Sequence, residues 1–247
     1  MTKITNWGSE DPAEVAKGGT GVATNTAYAV LCGGTTATGA IQSIASVGTA
    51  DQVLTSNGAG ALPTFQDAGG GGGSIEFITS TTISDDATID FTDLSSTYAV
   101  YIFELLNIHC ATDDKYLMVR TSTDNGSNYD SSGYYYATVY NNGTSFGAAI
   151  SYSGAGMLLT GSNSSAKLGS ASNENYCGTV KLYYPSDSST YTMISGYGGY
   201  RDNSGSIMTT SFSGFRASAA DVDAIRFLME SGNLSSGTIK VYGVKAS

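Results

Sequence analysis

From Ile75 to the C-terminus, short runs rich in Val, Ile, Tyr, Phe and Thr alternate with clusters of Asn, Asp, Ser and Gly. Such runs suit the pleated backbone, and the clusters between them suit turns. The pattern predicts strands near 75–82, 98–108, 115–122, 133–141, 147–152, 175–184, 190–197, 206–213, 222–230 and 237–244. Turn signals separate them at Asp124-Asn125-Gly126, Asn141-Asn142-Gly143, Asn163-Ser164-Ser165, Pro185-Ser186-Asp187, Asp202-Asn203-Ser204-Gly205 and Gly232-Asn233. In Ile225-Arg226-Phe227-Leu228-Met229, Ile225, Phe227 and Met229 share one face. Tyr98–Leu106 is apolar on both faces and is the best candidate for an interior strand. About ten short strands with no long helix predict an all-β fold, a jelly-roll-like antiparallel sandwich.

Composition narrows the class. Charged residues make up 13% of the 247 residues, about half the usual ~25%. Lys and Arg number 11 against 21 Asp and Glu, so no basic patch is available to displace counterions from nucleic acid. The longest apolar run, Tyr98–Leu106, contains Glu104 and is too short to span a bilayer. Met1–Glu14 has no apolar core segment, so no secretory signal is expected. Cys32, Cys110 and Cys177 are an odd set without CxxC spacing, which argues against zinc. Free buried thiols are the default expectation for Cys110 and Cys177, and a disulfide between them is the alternative.

The chain before Ile75 reads differently. Gly69–Gly73 is a linker by composition. No GKS or GKT follows it, so a phosphate cradle is disfavoured. Gly48–Gln66 pairs Gln52-Val53-Leu54-Thr55 with a run around Thr64-Phe65-Gln66, and Asn57-Gly58 is expected as the tight turn between them. Residues 1–68 are too poor in apolar side chains to build a core from one chain, so an extended segment supported by neighbouring copies is expected. Ser9-Glu10-Asp11-Pro12 can start one helical turn. Trp7 either anchors into another protein, with Pro12 and Val15, or packs on its own chain.

Gly18-Gly19-Thr20-Gly21, Val53-Leu54-Thr55-Ser56-Asn57-Gly58 and Pro63-Thr64-Phe65-Gln66 together resemble the short modules of phage tail-fibre and related virion-fibre proteins. Tyr116–Tyr129 resembles the strand and turn of phage tail-associated β-domains, and Asp223–Gly243 resembles their C-terminal hairpin. The resemblance implies a virion anchor and trimeric stalk over 1–68, a linker over 69–74 and a β-sandwich tip over 75–247. It implies a short tail fibre or receptor-binding fibre, located on the virion and attaching the phage to its host. A capsid head fibre or decoration protein without a receptor role is the alternative. A polysaccharide depolymerase is a further one.

Candidate chemistry is sparse. His109, the single histidine, sits beside Cys110, and neighbours on a strand point to opposite faces, so no Cys-His pair forms. Asp85-Asp86 and Asp113-Asp114 are turn neighbours rather than carboxylates flanking a cleft. Asp124–Asp130 has oxygen ligands at alternate positions but no closing Glu, so a hairpin turn is favoured over a calcium site. No catalytic residue, metal or cofactor is expected. Of the 17 tyrosines only Tyr28 precedes the glycine run. Exposed tyrosine beside Asn, Ser and Asp suits sugar or protein recognition. Tyr134, Tyr135, Tyr136, Tyr140, Tyr197 and Tyr200 are therefore the candidate receptor contacts, core packing being the alternative. At least one ring of Tyr134-Tyr135-Tyr136 must face outward. The expected partners are further copies of the chain in a homotrimer, a phage tail or capsid protein at the N-terminus, and a host glycan or protein, with neither nucleic acid nor membrane insertion.

Overall fold

The computed structural model describes residues 19–68, 75–144, 146–161 and 166–245. Trp7, Pro12, Val15, the expected helical turn and the glycine run lie outside the described residues. The chain separates into two compact units, Met1–Gly69 and Gly70–Ser247.

In the first unit β1 (Leu31–Cys32) pairs with β2 (Gln42–Ser43), and β3 (Gln52–Thr55) pairs with β4 (Thr64–Asp67). The β3–β4 pairing joins the two runs read from the sequence, but a wide loop over residues 56–63 connects them instead of a tight Asn57-Gly58 turn. Gly58 and Gly60 take positive φ of 91° and 84°, whereas Asn57 does not. The Asn57 side chain is used differently. Its Nδ2 donates to Leu62 O (2.7 Å) and Thr64 Oγ1 (3.1 Å), and its Oδ1 accepts from Gln66 Nε2 (3.3 Å), bracing the loop.

The second unit is all-β. Its strands are β5 (Ile75–Asp86), β6 (Thr88–Phe91), β7 (Tyr98–Cys110), β8 (Leu117–Ser122), β9 (Tyr134–Asn141), β10 (Phe146–Gly154), β11 (Met157–Leu158), β12 (Tyr176–Tyr183), β13 (Tyr191–Arg201), β14 (Ile207–Ala219), β15 (Ala224–Met229) and β16 (Leu234–Lys245). They form an eight-stranded antiparallel sheet, β10-β9-β14-β13-β12-β7-β16-β5, and a four-stranded one, β11-β8-β15-β6. The chain passes repeatedly between sheets, as a jelly-roll-like sandwich requires, and the β12-β13-β14 meander widens the larger sheet. All ten strands expected from the alternation are present. The short β6 and β11 complete the smaller sheet.

The core forms where the inner faces meet. Phe103 from β7, Phe91 from β6 and Phe227 from β15 touch across the sheets, with ring centroids 5.4–6.1 Å apart. Ile225, Phe227 and Met229 all point inward, as their spacing demanded. The run at Tyr98 is indeed interior, flanked by β12 and β16. Its inner face carries Tyr101, Phe103 and Leu105, and its outer face carries Glu104, which accepts a hydrogen bond from Thr179 Oγ1 at 3.0 Å. On β13 a side chain at Gly198 would collide with the buried Tyr176 ring, so the glycine opens the notch that this ring fills.

Two turns differ from expectation. Asn125 and Gly126 both take positive φ (52° and 82°), but the segment joins β8 in the smaller sheet to β9 in the larger one and is not a hairpin. Likewise β15 and β16 lie in opposite sheets, so the closing segment is a crossover. In both cases the inward faces of successive strands meet the same core from opposite sides. A local turn signal does not distinguish that arrangement from direct pairing.

Candidate functional site

The tyrosine triplet is sorted by the pleat. Tyr134 is fully buried, and its hydroxyl accepts from Thr121 N at 2.7 Å. Tyr136 and Tyr140 pack against the core from its margin. Tyr135 points to the outer face, where its ring stacks on Phe215 at 5.6 Å and meets Tyr152 edge-on at 6.1 Å. Tyr200 is 4% exposed; its hydroxyl donates to Ala166 O (2.6 Å) and accepts from Gly161 N (2.9 Å). Tyr134 and Tyr200 thus offer no surface to a partner, because each hydroxyl is consumed in tying a neighbouring segment to the core. Tyr197 is 62% exposed.

The outer face of the eight-stranded sheet divides into two parts. In the first, register places Tyr135 opposite Phe215, and Phe215 opposite Met193. Met193 lies opposite Tyr183, and the row runs on through Val100 and Val244 to Ile75. Tyr191 adds a stacked contact to Phe215 at 5.0 Å. This uncharged, mostly aromatic and aliphatic row crosses seven strands by register, and Tyr152 of β10, edge-on to Tyr135, extends it to the eighth. The second part is hydroxyl-rich. Tyr197 lies opposite Ser211, which lies opposite Val139, and Thr209 lies opposite Asn141, which lies opposite Phe146. Val139, Tyr140, Asn141, Phe146, Thr209 and Ser211 line a shallow groove there of about 190 Å³. Tyr135, Tyr140 and Tyr197 were among the candidate contacts of the sequence analysis; the other residues of this face come from separate strands and were not. Period-two spacing marked their outward direction, but only register joins them.

Several titratable groups among the described residues are engaged in local bonds. Asp113 accepts from Ser170 N (3.0 Å) and Asp86 from Ser84 N (2.8 Å). Asp124 accepts from Asn128 Nδ2 (2.7 Å), Asn128 N (2.8 Å) and Ser122 Oγ (2.7 Å), bonds that hold its carboxyl below the usual range. Arg226 makes a two-pronged ion pair with Asp90 (2.7 and 2.6 Å) and lies over the Tyr129 ring at 3.9 Å. Burial, then the Asp90 charge, pushes the Tyr129 hydroxyl up to about 12.

Cys110 is buried, its Sγ donating to Gly169 O at 3.2 Å, and burial raises its thiol to about 11. Cys177 is exposed rather than buried, because its position on β12 faces outward, and both thiols are free. His109 and Cys110 differ in burial as adjacent strand residues should. Among the described residues no three His, Cys, Asp or Glu side chains converge as a metal site. Compared with known proteins, the chain matches no family model, no curated protein and no solved structure.

Proposed function

We propose that this chain is a structural virion protein, a short tail fibre or receptor-binding fibre. Its N-terminal part would be held in the particle through Trp7, Pro12 and Val15, and its β-rich unit would meet the host surface as a homotrimer. Three weak sites held together raise avidity without any tight single site. The observation that carries the reading is the exposed Tyr197 in a hydroxyl-rich setting beside Ser211, with Asn141 and Phe146 on the same outer face. A flat ring with neighbouring hydroxyl and amide groups suits the apolar face and hydroxyl edge of a sugar. The fibre-like modules of the first 68 residues support the same reading.

Particles assembled with Tyr197→Ser or Phe146→Ser should adsorb to host cells more weakly than wild type, while the purified chain melts at the same temperature. Unchanged adsorption for both variants would rule out this hydroxyl-rich part of the outer face as the contact. A density map of the whole particle separates a tail position from a head fibre.

A further inference from the structure

We infer that the apolar row on the outer face of the eight-stranded sheet is where the β-rich unit packs against a second copy of this chain. The inference rests on the self-association in the proposed function and adds the surface that carries it.

Area is the first argument. A large apolar side chain offers about 200 Å². Ile150, Tyr152, Tyr191 and Met193 are 65%, 69%, 49% and 41% exposed, and Ile75 and Phe77 on the far side of the same face are 62% and 59% exposed. Together they leave roughly 700 Å² in water, close to the ~800 Å² that each partner gives a standard interface. Scattered apolar residues need no explanation, but a row contiguous across all strands of a sheet does.

Charge is the second argument, and it selects the partner. The chain carries a net charge of −10, so two copies repel over most of their surfaces. Strands β9, β10, β13 and β14 contain no Asp or Glu. Away from Glu104, whose carboxylate is held by Thr179 Oγ1, this face is therefore where copies can meet without pressing carboxylates together or stripping water from them. The row is also already ordered. Tyr135 is held between Phe215 and Tyr152, so little rotamer entropy remains to be lost on docking.

The test uses the full chain with Cys32→Ser and Cys177→Ser, leaving only the buried Cys110 thiol. Ser213 lies on the outer face between Ser195 and Ala137. Ser213→Cys should give covalent dimers with a short bismaleimide, whereas Thr123→Cys, in the exposed loop after β8, should not. Adding Ile150→Asp should lower the cross-linked yield and weaken self-association about tenfold or more in sedimentation. If the chain sediments as an oligomer but Ser213→Cys does not cross-link, the surface is wrong and the oligomer stands. A monomer at micromolar concentration overturns both.

Discussion

Replacing Phe227 by alanine tests whether the two sheets share one core. Its ring is fully buried and lies 5.4 Å from Phe103 in the opposite sheet and 6.1 Å from Phe91 beside it. Removing it costs the transfer free energy of the ring plus a cavity term. The cavity cannot close easily, because its walls belong to strands fixed by ladders in two different sheets. We expect about 4 kcal/mol, the middle of the range for buried aromatic truncations. For a unit of this size that lowers Tm by about 12 °C. Val139→Ala, at a position 52% exposed on the outer face, is the control and should cost under about 1 kcal/mol. Calorimetry and urea denaturation of the same samples read both values. Should Phe227→Ala melt within a few degrees of the control, Phe227 does not join the sheets and the packing argument fails.

Tyr200→Phe keeps the ring but strands two buried backbone groups, Ala166 O and Gly161 N. A loss of about 2–3 kcal/mol in urea denaturation is expected, and no loss would mean that other groups or water replace the hydroxyl. Stability should also fall at both ends of the pH scale. Burial raises the hydroxyls of Tyr134, Tyr176 and Tyr200, so the stability they lend is complete below the unfolded tyrosine value of about 10 and is lost as pH rises beyond it. Asp124 and Asp187 are lowered by hydrogen bonds, from Asn128 and from Ser189 respectively. Their contribution is complete above the unfolded aspartate value of about 4 and is lost as pH falls through the folded one. Denaturation midpoints across pH, paired with a tyrosine absorbance titration, check both arms. Ordinary titration of all tyrosines in the native protein would refute the alkaline one.

The sequence by itself determined where strands lie and which residues alternate along them. Ile225, Phe227 and Met229 had to share a face, Tyr135 had to oppose Tyr134 and Tyr136, and His109 had to part from Cys110, because side chains on a strand repeat every two residues. Pairing of Val53 with Gln66 followed from two β-prone runs close in sequence. Only the tertiary structure decided which face was inside and which sheet each strand joined. Asn125-Gly126 and Gly232-Asn233 carry hairpin chemistry, yet both serve crossovers, because strand partners are chosen by where apolar faces meet and not by the turn between them. The tyrosines follow the same logic. Tyr200 and Tyr197 lie on one strand among similar neighbours, but a distant carbonyl at Ala166 draws one inward, and the pleat then puts the other in water. The outer row of Tyr135, Phe215 and Met193 is assembled by register from segments far apart in the chain. Local periodicity holds the direction of each side chain, and only the ladders bring the side chains together.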